Sequence, residues 1–291
     1  MYKNVVSVVF LLLIVQACGG PTRKDNETAA KNKEIMHPAV DQLSYPMENT
    51  IEKRFSTPDG YRRSEVDSGS FQHYLRQLPL KKVNSKVTYF DGSFKPNSNV
   101  YEAVIDLPIG KRDLHQCADA IIRLRAEYFF KEKKYDSIGF NFTNGFRADY
   151  IPWRNGKRIK VSGNQVRWTN GTTPSTSYID FWKYLEMVFS YAGTASLEKE
   201  MKPISLDAID IGDTFIKGGF PGHAIIVVDM AIHQESGKKI VLLAQSYMPA
   251  QELQLLKNPN DSVMNPWYSM ELTDTLYTPE WTFEIHHLKR F

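Results

Sequence analysis

Gly222-His223-Ala224-Ile225-Ile226-Val227-Val228-Asp229 and Lys239-Ile240-Val241-Leu242-Leu243-Ala244-Gln245-Ser246-Tyr247 flank the turn Glu235-Ser236-Gly237-Lys238. Both flanks are aliphatic and rich in β-branched residues, and a Ser-Gly pair separates them. The stretch therefore predicts an antiparallel hairpin. With Ser236-Gly237 at the tip, residue numbers across the ladder sum to about 473. His223 opens the first strand, and its partners then lie just past Tyr247. His223 and the segment Gln245–Gln251 converge at one mouth of the sheet.

Working outward, Asp213–Ile216 reads as a strand before the hairpin and Trp281–Leu288 as a closing strand. Upstream, Asp113-Leu114-His115-Gln116 has capping-box spacing, with Asp113 as the predicted N-cap. Leu114, Cys117, Ala118, Ile121, Leu124 and Tyr128 follow at helical spacing. Ser177 opens a second helix, predicted to run to about Ala192 and to end at Gly193. Ser70 caps a short helix that Pro79 stops. Val83–Phe90 and Val100–Leu107 read as strands around the turn Asp91-Gly92, and residues 137–168 as irregular β structure. The expected class is α+β, a core of antiparallel sheet with packed helices and an N-terminal α/β elaboration.

The chain begins Met1-Tyr2-Lys3-Asn4, followed by an apolar run from Val5 to Val15. One positive charge before a short apolar stretch has the form of a secretory signal, and the run is shorter than the ~20 residues a spanning helix needs. Val15-Gln16-Ala17-Cys18 resembles the lipobox of bacterial lipoproteins. That resemblance implies a signal peptide over residues 1–17, acylation of Cys18 and a cell-envelope protein held to the membrane by lipid. Residues 18–40 are polar and read as a flexible tether, leaving residues 41–291 as one globular α+β domain. With 36 Lys+Arg against 33 Asp+Glu, the charge balance does not point to nucleic acid as a partner.

Chemistry concentrates in few places. Of two cysteines, Cys117 alone lies in the domain, so it is either a small buried hydrophobe or a reactive thiol. Near a helix N-terminus the dipole favours its thiolate. His223 suits a general base and Gln245 a residue that orients the imidazole, while Ser246, Tyr247 and Gln251 are candidate substrate contacts. There is no P-loop, no Gly-x-Gly-x-x-Gly, no His-Glu-x-x-His and no paired cysteine, and the adjacent His286 and His287 would face opposite ways on a strand. Neither a cofactor nor a metal is expected.

A histidine at a strand start, beside an amide on the hairpin partner and a cysteine near a helix N-terminus, resembles the arrangement of papain-like enzymes. Gly212-Asp213 with Gly222-His223-Ala224-Ile225-Ile226-Val227-Val228 is similar to the corresponding stretch of the NlpC/P60 and CHAP hydrolases of that superfamily. More broadly, Gln116–Tyr128, Pro221–Ala224, Ala244–Gln251 and Pro266-Trp267-Tyr268 resemble the domain-of-unknown-function 4846 family of exported bacterial proteins. The first resemblance implies a papain-like core and thiol chemistry on an amide, with Cys117, His223 and Gln245 in the catalytic roles. The competing reading is a non-catalytic envelope protein that holds a peptide or glycan in the same cleft.

Overall fold

The aliphatic run predicted to pair as a hairpin forms the two central strands, His223–His233 and Lys239–Gln245, of the computed structural model, which describes residues 49–291. Every residue from His223 to Ala231 is buried. A strand covered on both faces needs apolar side chains on both, which is why this run does not alternate with polar residues. The strands belong to a nine-stranded sheet whose main path runs Tyr101–Val104, Gln254–Leu256, Lys239–Gln245, His223–His233, Thr214–Lys217, Leu288–Arg290 and Lys202–Pro203. Tyr61–Arg63 pairs with the far end of the His223 strand, and Tyr268–Ser269 with the Lys239 strand. The pairings within this sheet are antiparallel. The described domain is thus α+β, with a large antiparallel sheet and helices packed around it.

The register departs from the sequence expectation in two steps. Ile240 stands opposite Ala231, where the expected register puts His233. The loop is centred one residue earlier than Ser236-Gly237: the His233 N–H donates to the Lys238 carbonyl at 2.8 Å and Gly237 takes a left-handed φ of +71°. That two-residue shift leaves every side chain on its expected face. The second step does not. Leu242 pairs with Asp229 but Leu243 with Val227, so Val228 is an extra residue and the ladder carries a β-bulge. Beyond the bulge Ala244 faces Ile226, and continuing the register sets Gln245 opposite Ile225. His223, two residues from Ile225, lies on the same face as Gln245. Without the bulge Gln245 would oppose Ile226 and point away from His223.

At the opposite end of the strand, Asp229 is wholly buried and holds two guanidinium groups. Arg63 Nε and Arg76 Nε each donate to it at 2.7 Å. This knot ties the Tyr61 strand and the Phe71–Arg76 helix to the sheet. A buried carboxylate is tolerable only with such partners.

Several predicted elements shift. Residues 83–90 make only isolated bridges, Thr88 to Phe94 and Tyr89 to Gln251, because the segment wraps the sheet edge instead of joining it. The predicted closing strand breaks into Thr282–Glu284, a 3-10 turn at Ile285–His287, and Leu288–Arg290. Gly193 does not end the Tyr178–Tyr191 helix; with extended backbone it opens the next one, Thr194–Glu200. Ser70 and Ser177 cap their helices as predicted, accepting from the backbone of His73 and Asp180. Among the described residues no helix is long and apolar enough to cross a membrane.

Candidate active site

The helix carrying Cys117 begins later than its sequence suggests. Asp113 is not its cap, because that carboxylate accepts instead from the Ala250 backbone at 2.7 Å and from the Gln116 side chain at 3.0 Å. The helix spans Cys117–Lys131, with Gln116 as N-cap and the Gln116 N–H donating to Asp119 Oδ2 at 3.1 Å. The outcome for chemistry is direct. Cys117 becomes the first helical residue, where unpaired N–H groups concentrate positive potential.

Cys117 is 7% exposed and lines a cavity of about 190 Å³ together with Gln116, Asp119, Thr194, Gly222 and Met248. Phe220, 96% exposed, stands at the rim. Burial, then the charge of Asp119, push the thiol up to about 11; the backbone N–H of Ala224 acts the other way, favouring the thiolate. Ala224 is the residue immediately after His223, and Gly222, the residue before it, lines the same cavity as Cys117; no hydrogen bond joins Cys117 to His223 among the described residues. Asp119 is itself buried, which holds its carboxyl well above the usual carboxylate range, and its Oδ1 has no hydrogen-bond partner.

His223 follows Gly222, a position with no room for a side chain. A Cβ there would stand 2.4 Å from the Gly219 carbonyl oxygen and 2.8 Å from that of Lys217. The tight approach folds the Gly219–Gly222 loop against the strand end and fixes where His223 enters the sheet. Its Nε2 meets Gln245 Oε1 at 2.8 Å, in a buried contact. Because an amide oxygen only accepts, Nε2 carries the proton and Nδ1 the lone pair. The rings of Tyr247, Trp281 and Phe283 stand 4.6, 5.3 and 5.8 Å from the imidazole, centroid to centroid. Burial lowers the His223 pKa to about 4, with the Lys95 charge adding to the effect and the Gln245 bond opposing it. At neutral pH the imidazole is uncharged and able to accept a proton.

A family model agrees with the resemblance. The model of a domain of unknown function, number 4846, matches residues 51–290. The chain belongs to that family. No curated protein and no solved structure matches it.

Of the other residues singled out in the sequence, Tyr247 is half-buried against His223, and its phenol is pushed up by burial, by Glu280 and by Cys117. Ser246 is fully buried, its hydroxyl 2.9 Å from the His115 carbonyl and 2.7 Å from that of Gln251. Gln251 is buried too: its side-chain Oε1 accepts from Lys95 at 3.0 Å and from Gln254 at 3.1 Å, and its Nε2 donates to the Pro249 carbonyl at 3.1 Å. Both side chains thus bond within the protein. Cys18 lies outside the described residues. Sequence reading missed Lys95, Glu280 and Trp281. They sit in a wrapping loop and a broken strand, where no periodicity marks a buried polar group; the sole signal is a lysine between Phe94 and Pro96.

Proposed function

We propose that this domain is a papain-like thiol hydrolase of amide bonds, acting on a peptide or cell-wall peptide at the cell envelope, where a lipid on Cys18 anchors it. The observation that carries the reading is the buried Nε2–Oε1 contact of 2.8 Å between His223 and Gln245, at a strand end where Gly222, the residue before His223, lines the same cavity as the helix-opening Cys117. In this mechanism the resting pair is a neutral thiol and a neutral imidazole. As the sulfur attacks the amide carbon, the thiol proton passes to His223 Nδ1. Free N–H groups at the helix start stabilise the oxyanion. His223 then gives its proton to the departing amine, leaving a thioester on Cys117. Water, deprotonated by His223, cleaves the thioester, releases the acid and restores the thiol.

The test is incubation with stem peptides of the cell wall and with a random tetrapeptide pool, read by mass spectrometry. Cleavage adds the mass of one water across the two products. It should occur with the wild type and vanish with Cys117→Ala and with His223→Ala. A second reading, a non-catalytic peptide- or glycan-binding cleft, is favoured by the burial and high pKa of the thiol. No cleavage of either pool, with ligand retained equally by wild type and Cys117→Ala, would establish that reading instead.

A further inference from the structure

The neutral imidazole of His223 has two tautomers, and only the one protonated on Nε2 leaves Nδ1 free as a base. Gln245 cannot select between them alone. Its amide can present oxygen to His223, and then Nε2 must donate; or it can present nitrogen, and then Nε2 must accept and the proton moves to Nδ1. Something on the far side of the amide has to decide.

That far side is built. Gln245 Nε2 donates to Glu280 Oε2 at 2.7 Å, and Lys95 Nζ donates to the same oxygen at 2.6 Å. Lys95 is 5% exposed, and its Nζ donates a second hydrogen bond to Gln251 Oε1 at 3.0 Å. Its Nζ also lies 5.7 Å from the Tyr247 ring centroid. A carboxylate can only accept. Turning the Gln245 amide over would set its oxygen against the Glu280 oxygen, two acceptors with no proton between them, and would leave the buried Gln245 nitrogen facing the imidazole. The penalty is an unmade bond at a buried polar group, which costs more than an ordinary hydrogen bond contributes.

We infer that Glu280, held in place by Lys95, is a positioning residue that fixes the tautomer of His223 through Gln245. The chain Lys95–Glu280–Gln245–His223 transmits direction without moving a proton: each link has one allowed orientation once the carboxylate is set. The functional use of this inference rests on the thiol-hydrolase reading, but the tautomer itself does not.

The experiment is long-range ¹H–¹⁵N correlation of the imidazole ring in protein labelled with ¹⁵N-histidine, at pH 7, with His223 assigned by His223→Gln. Wild type should give one Nε2–H pattern with an unprotonated Nδ1. The double variant Lys95→Met with Glu280→Met removes the acceptor and its counter-charge together, so no lone buried charge remains to unfold the protein. It should show a second set of ring signals from the Nδ1–H form. Glu280→Gln keeps a carbonyl oxygen that can accept from Gln245, and should retain the wild-type pattern. The inference is overturned by a single Nε2–H pattern in the double variant, by an Nδ1–H pattern in the wild type, or by equal loss of selection in Glu280→Gln. None of these readouts depends on turnover. Peptide cleavage that survives Cys117→Ala would instead refute the hydrolase reading and leave the tautomer result standing.

Discussion

Cys117 should be a slow nucleophile in the free protein, by an amount the structure sets. Burial and Asp119 push its thiol up to about 11, whereas a free cysteine titrates near 8.5. At pH 7 the thiolate fraction is then about 300-fold smaller than in the unfolded chain. Each thiolate is more nucleophilic for its higher pKa, by roughly tenfold for a Brønsted slope of 0.4–0.5. The net expectation is alkylation about 20- to 30-fold slower in the folded state, before any steric shielding by the cavity wall. The assay is iodoacetamide labelling followed by intact mass, in a Cys18→Ser background so that one thiol remains. The logarithm of the rate should climb by about one per pH unit from 7 to 10 with no plateau. The same shift appears in stability. The unfolded chain loses this proton first, so stability is intact below about pH 8.5 and falls by about 1.4 kcal/mol per unit as pH rises toward 11. Cys117→Ala should remove that slope. A labelling plateau below pH 8, abolished by His223→Ala, would refute the neutral resting pair and show a thiolate–imidazolium pair in its place.

His223 works in the opposite pH range. Its folded-state pKa is depressed to about 4, so the unfolded chain takes up a proton first as pH falls below about 6.5; stability should drop by about 1.4 kcal/mol per unit between these values, and urea titrations of His223→Gln should show a slope smaller by that amount. Asp229→Ala strands Arg63 and Arg76 beside a buried vacancy and should cost about 3–5 kcal/mol in urea unfolding, while a loss under 1 kcal/mol would mean that the knot is not what holds the Phe71–Arg76 helix. Cys18 should incorporate a tagged fatty acid in a bacterial host that makes lipoproteins, and Cys18→Ala should not; unlabelled wild type would remove the anchor.

The hairpin was legible because a doubly buried strand has to be a continuous aliphatic run, and Ile225 to Val228 and Ile240 to Ala244 are such runs. His223 and Gln245 stood out as the polar residues at the ends of those runs. What no local pattern carries is phase. Val228 looks like its neighbours, and only the pairing across the sheet makes it the extra residue. Tertiary competition explains the displaced helix start as well. Asp113 has the right spacing for a cap, but the Ala250 backbone, far along the chain, claims its carboxylate. Glu280 and Lys95 were invisible for a related reason: their partners are remote in sequence, so spacing says nothing about them.

The extra residue at Val228 gives the hairpin something like a reading frame in space. On the turn side of Val228 the two strands keep one phase, and on the mouth side they keep the other. A change in the turn by two residues would leave both phases intact. Deleting Val228 would merge them and leave Gln245 opposite Ile225, whereas keeping Val228 in a ladder with no bulge would set Gln245 opposite Ile226, on the other side of the sheet from His223. Homologous chains can therefore be aligned correctly at His223 and at Gln245 and still differ in whether those residues meet. Whether the extra residue is taken up as a bulge, more than the identity of either end, decides it.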